Sequence, residues 1–262
     1  MTILDKITAD TRLRLTQEKL EITPEEMKEA ALALPADNSF PMEAMLRAPE
    51  LHYICEVKKA SPSKGLIAPD FPYLQIAKEY EAAGAGAISC LTEPKYFLGS
   101  KDYLKEIAAQ VQIPVLRKEF IVDAYQIYEA KILGASAVLL ICALLDTEVL
   151  KDYIQICNVL GLSALVEVHD EEEMQSAILA GARIIGVNNR NLKDFTVDIK
   201  NSTRLRSLAP SDILFIAESG IGNAEDIRVL KEANVNGVLI GETLMRSPDK
   251  KAMLETLNGG AL

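Results

Sequence analysis

The feature that most constrains this chain is a recurrence. Short runs rich in β-branched and apolar residues return eight times: Tyr53–Val57, Ala87–Leu91, Ile113–Leu116, Ala137–Ile141, Ala164–Val168, Ile184–Val187, Ile213–Ala217 and Gly237–Ile240. They begin roughly 20 to 35 residues apart, about the length of a strand plus its crossover helix. Helical patterns fill the intervals and end at glycine: Tyr73–Ala83 before Gly84, Asp123–Leu133 before Gly134, Glu148–Leu160 before Gly161 and Glu171–Ala180 before Gly181. Glycine there is expected to adopt a left-handed C-cap. Thr147, Asp170 and Asn223 stand where N-caps belong. The small-residue turns Ala83–Ala85, Leu133–Ala135 and Ala180–Ala182 mark one repeated helix-to-strand junction.

Eight strands alternating with helices predict an α/β chain closed into a (β/α)8 TIM barrel. The rival, a doubly wound open sheet, usually carries G-x-G-x-x-G after its first strand. Here that position reads Lys58-Lys59-Ala60-Ser61-Pro62-Ser63-Lys64-Gly65. The 262 residues suit a single barrel of about 250 residues. Before the first strand, Ile3, Ile7, Leu13 and Leu15 give a loosely amphipathic helix, Pro24–Leu34 a second, and Phe40–Leu46 a short third. Pro24 suits a first-turn position, where its missing N–H costs nothing. Residues 1–50 are read as a helical extension packed on a barrel of residues 51–262. Their apolar residues are too few for an independent core, so the whole is one domain.

A net charge of -10 argues against binding a nucleic-acid backbone, which needs a basic face. Two histidines, His52 and His169, are too few for a histidine-built zinc site. Acid–base chemistry here would fall to lysines and carboxylates. Cys55, Cys90, Cys142 and Cys157 contain no C-x-x-C pair and no disulfide framework, which favours a reducing cytoplasm. The charged N-terminus lacks a signal-peptide core. The longest apolar run, residues 137–145, falls short of the ~20 residues that span a bilayer. No membrane partner is expected.

Both faces of a barrel strand are buried, so a charge within one is costly unless paired or functional. Five runs carry a polar residue near their C-terminal ends. Glu56 and Lys58 share a face of the first; Lys118 follows the third; Glu167 lies in the fifth; Asn188 and Glu218 end the sixth and seventh. That end of the barrel is the catalytic face of this fold. Three carboxylates and two ammoniums meeting there would compensate one another and shift each other's proton affinity.

The last two strands run into Glu218-Ser219-Gly220-Ile221-Gly222-Asn223 and Gly241-Glu242-Thr243. Loops in those places commonly hold a phosphate, because glycine lets backbone N–H groups approach the oxygens. Ser61, Lys64 and Arg190 lie close enough to the rim to add donors or charge.

Taken together, "EVKKASPSKG" (Glu56–Gly65), "LTEPKYFLGS" (Leu91–Ser100), "PVLRKEFIVDAYQIYEA" (Pro114–Ala130), "ALVEVHDEEE" (Ala164–Glu173), "IGVNNRNL" (Ile185–Leu192), "AESGI" (Ala217–Ile221) and "VLIGETLM" (Val238–Met245) resemble the indole-3-glycerol phosphate synthase family over nearly the whole chain. The resemblance implies a carboxy-lyase of tryptophan biosynthesis that uses neither metal nor organic cofactor. Its substrate would be 1-(2-carboxyphenylamino)-1-deoxyribulose 5-phosphate, which closes to the indole with loss of carbon dioxide and water. It implies Lys118 as general acid, Glu167 as base in dehydration, and Lys58 as ligand of the substrate carboxylate and second acid. Glu56 would orient and balance the lysines, with Asn188 and Glu218 as hydrogen-bonding supports. Ser61, Ser219, Gly220 and Gly241 would hold the phosphate, and Arg190 would lie near the anthranilate carboxylate. Phe97 and Phe120 fall in matching segments and would wall the aryl ring. Glu242 departs from the small hydroxyl residue of some relatives; only its backbone N–H should meet phosphate, its side chain pointing away. For assembly, a monomer is expected, with a dimer left open.

Two other readings stay open on sequence alone: another phosphosugar barrel such as phosphoribosylanthranilate isomerase, and a non-catalytic binding barrel. The isomerase chemistry wants an Asp/Cys pair where this chain has Glu56 and Lys58. His169, in phase with Glu167, is either catalytic or a cap for the next helix. Cys55 alternates out of phase with Glu56 and should face the helices. The acidic run Asp170–Glu173 suits a helix N-terminus, where the dipole favours negative charge.

Overall fold

A computed structural model describes residues 2–191 and 195–260; Leu192, the last residue of one motif quoted above, lies outside them. Eight parallel strands form the barrel: β1 (His52–Val57), β2 (Ala87–Leu91), β3 (Val115–Lys118), β4 (Ala137–Ile141), β5 (Ser163–Val168), β6 (Ile184–Asn188), β7 (Leu214–Glu218) and β8 (Gly237–Ile240). Neighbours in sequence are neighbours in the ring, and β1 closes it against β8 through pairs such as Tyr53 with Val238. All eight apolar runs are strands. The third is displaced: it starts at Val115, because Pro114 has no N–H to donate. The seventh starts one residue later than expected and extends to Glu218, which pairs with Asn188 of β6.

Side-chain alternation splits the core in two. Ile54, Leu116, Leu139, Leu165, Ile184, Ile216 and Leu239 fill the barrel axis. Tyr53, Cys55, Val57, Ile88, Val138 and Val166 face the helices, so Cys55 sits on the side expected of it. Gly84, Gly134, Gly161 and Gly181 all adopt positive φ after helices α4 (Tyr73–Ala82), α6 (Ala124–Ile132), α7 (Thr147–Leu160) and α8 (Glu171–Leu179), while α5 (Lys101–Gln110) ends at Val111 without a glycine. Asp170 and Asn223 cap their helices through side-chain oxygens. Thr147 does not: Asp146 occupies the N-cap, and the Thr147 hydroxyl instead pairs with Ser176 at 2.8 Å.

Three helices precede β1: α1 (Ile3–Glu21), α2 (Pro24–Leu32) and α3 (Pro41–Leu46). Thr2 and Thr23 build capping boxes with Asp5 and Glu26, and Pro24 opens α2. On α1 the buried face is Ile7, Thr8, Thr11 and Leu15. Leu13 falls two residues from either side of that stripe and is solvent-exposed, a correction to its expected inward place. Met42 and Leu46 of α3 pack into the axial core, and Glu43 accepts both Nε and Nη2 of Arg183. Leu15 and Met27 meet Tyr125 of α6. Among the described residues, no helix is long and apolar enough to cross a membrane.

Gly161 joins two parts of this packing. Its φ is +70°, and an added Cβ would lie 2.4 Å from the backbone nitrogen of Asp37, in the segment leading to α3. Gly161→Ala should destabilise the fold by about 1–3 kcal/mol, from strain plus the clash. Urea unfolding checks this; the rate per folded molecule should not change.

Candidate active site

At the C-terminal ends of the strands the barrel opens into a cavity of about 820 Å³. Every residue to which the family resemblance gave a catalytic or substrate-binding role lines it; His169 does not. At its floor, Lys118 Nζ from β3 donates to Glu218 Oε2 of β7 at 2.6 Å and to Glu167 Oε2 of β5 at 3.1 Å. Asn188 Nδ2 of β6 donates to the other Glu167 oxygen at 3.3 Å. Glu56 of β1 forms an ion pair with Lys58, just beyond the strand. The groups converge because their positions share the axial phase of their strands. Two glycines permit this close packing: a Cβ at Gly241 would collide with Glu56 and Lys58, and one at Gly186 with Glu218.

Burial sets these charges against one another. Desolvation opposes charge on Lys118, but Glu218, Glu167 and Glu56 outweigh it, and the ammonium is held above its ordinary range. Desolvation also opposes charge on Glu167, yet Lys118, His169 and Asn188 outweigh it and keep its proton affinity low. For Glu218 the balance tips the other way. Burial, with Glu167 and Glu56 nearby, overcomes Lys118 and pushes the carboxyl up to about 7. One ammonium cannot hold two adjacent carboxylates equally, so the pair splits into a strong acid and a weak one.

On one side the cavity is apolar. The Phe97 and Phe120 rings lie 5.9 Å apart between centroids, with Leu91, Leu139 and Ile141 beside them in the wall. Ile3, Leu4 and Ile7 of α1 complete it. On the other side lie Ser61, Ser219, Gly220, Gly241 and Glu242. Ser219 and Gly220 both have positive φ, which turns the chain sharply after β7. The Glu242 carboxylate is occupied by Arg246 at 3.1 Å and Lys64 at 3.5 Å. Arg190 lines the cavity, its guanidinium donating to the Phe195 carbonyl at 3.4 Å.

Sequence reasoning missed the supports of this cavity. Glu119, fully buried, accepts from Thr92 at 2.9 Å and from the Phe120 N–H at 3.0 Å, and pairs with Arg14 of α1 at 3.2 Å. Glu93 accepts the N–H groups of Lys95, Tyr96 and Phe97. Asp10 of α1 accepts from the Tyr96 hydroxyl at 2.6 Å and from Lys95 at 2.8 Å. The only signal in the sequence was an acidic residue just past a strand end. His169 does not cap the following helix: Asp170 does, and the His169 ring lies between Glu173 and Glu167.

A family model described as indole-3-glycerol phosphate synthase matches residues 4–257. The chain is 60% identical over 259 residues to an indole-3-glycerol phosphate synthase of Ruminiclostridium cellulolyticum, covering 99% of this chain and 100% of that protein. A protein of the same name from Lachnoclostridium phytofermentans is 52% identical, covering 97% and 98%. Among solved structures, 3-hexulose-6-phosphate synthase from Salmonella typhimurium superposes with a TM-score of 0.65 at 11% identity, covering 80% of this chain and 97% of that one. Thiamine phosphate pyrophosphorylase from Pyrococcus furiosus gives 0.61 at 17% identity, covering 82% and 96%. At such identities the likeness is one of fold.

The raised Glu218 has a thermodynamic consequence. Its folded value of about 7 exceeds the ordinary 4.5, so between those limits the native state holds the proton that the unfolded state releases. The contribution is present below pH 4.5 and lost as pH rises through 7. The stability of the wild type relative to Glu218→Gln should therefore fall across that window, as measured by denaturant unfolding at a series of pH values.

Proposed function

The chain belongs to the indole-3-glycerol phosphate synthase family, and from that premise we propose how its strand-end groups divide the reaction. The activity is that of a carboxy-lyase of tryptophan biosynthesis. It converts 1-(2-carboxyphenylamino)-1-deoxyribulose 5-phosphate to indole-3-glycerol phosphate with loss of carbon dioxide and water. The observation that carries the assignment of roles is the buried Lys118 ammonium between two carboxylates, facing a cavity with one apolar and one polar side.

The aryl part of the substrate lies against Phe97 and Phe120, and the phosphate against Ser61, Ser219, Gly220, Gly241 and the backbone N–H of Glu242. The Glu242 side chain, engaged by Arg246 and Lys64, leaves phosphate unopposed. Lys58 and Arg190 meet the substrate carboxylate. As the aryl carbon attacks the ketone carbon, the carbonyl oxygen becomes an alkoxide, basic enough to take a proton from Lys118 despite that amine's raised affinity. Carbon dioxide then departs and leaves its bonding electrons to restore aromaticity. In dehydration, Glu167, whose carboxylate Lys118 and Asn188 keep ionised, removes a proton as the hydroxyl leaves as water. Lys58 serves as second acid, Glu56 balances it, and Glu218 orients Lys118. Residues 1–50 act as an extension of a single domain with the barrel, and the enzyme works in the cytoplasm as a monomer, with a dimer open.

Incubation of the purified protein with the carboxyphenylamino-deoxyribulose phosphate should give a rise in indole fluorescence. A folded sample without that signal refutes the assignment. Lys118→Ala should retain the fold and lose turnover by about 10² to 10⁴-fold, the size of a general-acid contribution; near-normal kcat would remove Lys118 from that role.

A further inference from the structure

His169 follows β5 directly, in phase with Glu167. Its Nδ1 lies 3.0 Å from Glu173 Oε2, and the same oxygen accepts the His169 backbone N–H at 2.8 Å. Two contacts to one carboxylate fix the ring from the α8 side. Its Nε2 is buried without a hydrogen-bond partner and lies 3.5 Å from Glu167 Oε1. Lys118 holds the other oxygen of that carboxylate.

The charges around the ring come from every element packed on it. Glu167 lies on its own strand, Glu173 and the capping Asp170 belong to α8, and Glu218 acts from β7. Cys142, after β4, directs its thiol at the Glu173 carbonyl, and Asn201 of α9 (Lys200–Arg206) donates to the His169 carbonyl at 3.0 Å. Burial works against an imidazolium, but Glu173, Glu167 and Glu218 outweigh it and raise its proton affinity. The cavity floor holds three carboxylates, Glu56, Glu167 and Glu218, against two ammoniums, Lys58 and Lys118. Glu167 is the carboxylate kept ionised beside Lys118, and an imidazolium on its far side adds a second counter-charge.

We propose that His169 is a positioning residue for Glu167: an imidazolium, clamped by Glu173, that keeps the carboxylate ionised and aimed for the dehydration step. The inference rests on Glu167 acting as the base. It adds a third element, α8, to the two strands that already govern that group.

With only two histidines, imidazole nitrogen NMR is decisive, and His52→Gln identifies the remaining signal. In the resting enzyme His169 should titrate above the ordinary histidine range, and in Glu167→Gln its midpoint should fall. A midpoint indifferent to Glu167→Gln overturns the pairing, whatever the activity. The second arm is the pH profile of the single-turnover rate. His169→Gln keeps a donor but no charge, so the acidic limb should move up by at least about half a unit while KM at pH 8 stays near the wild-type value. Glu173→Gln, which loosens the ring, should move it less in the same direction. Superimposable profiles overturn the proposal. Should His169→Gln not fold, the NMR titration, made on the intact histidine, still decides. Loss of the NMR coupling defeats this inference alone; an inactive wild type defeats the functional assignment beneath it.

Discussion

One buried ammonium organises the catalytic end of this barrel. Lys118 reaches two carboxylates on different strands, and each would be costly to bury ionised without it. Because it cannot satisfy both, it divides them: Glu167 stays a carboxylate, while Glu218 shifts to a proton affinity near neutrality. One cation and two geometrically similar glutamates thus give two carboxyl groups of opposite proton affinity. The differences lie in neighbours: Asn188 donates to Glu167, and His169 lies 3.5 Å from it.

The N-terminal helices belong to that same arrangement. Helix α1 supplies Ile3, Leu4 and Ile7 to the cavity wall, and its polar side reaches two loops. Asp10 holds Lys95 and Tyr96 beside Phe97, and Arg14 holds Glu119 beside Phe120. The aromatic wall is thus gripped from outside. Glu119 stands close to Arg117, which is fully buried on the helix side of β3 and donates to Glu129 at 2.7 Å. A continuous polar layer therefore runs behind the strand that carries Lys118.

Much of this was legible from residue order. Period-two alternation and the near-even spacing of apolar runs are local signals, and they located all eight strands and the polar groups at their ends. The remainder depends on partners distant in sequence. No local pattern says that Arg14 meets Glu119, or that Lys64 meets Glu242. Alternation assigns Arg117 and Glu119 to the helix face, where a charge is not expected to survive burial. A histidine before a helix looks the same in sequence whether it caps or faces a carboxylate, so residue order leaves both roles open to His169. The shift of β3 turned on Pro114, and the exposure of Leu13 on a helix face that periodicity left only loosely defined.

The seam between β1 and β8 carries a consequence for folding. Glu56 and Lys58 come from the first strand of the ring and its exit, Lys118, Glu167 and Glu218 from three others, and Gly241 from just past the last strand. No contiguous stretch of chain contains a working subset. Glu56 and Lys58 reach Gly241 only when the first strand meets the last, the strand pairing that spans the longest stretch of chain. The full cluster is thus a property of the closed ring, and turnover reports that the two ends of the sheet have met.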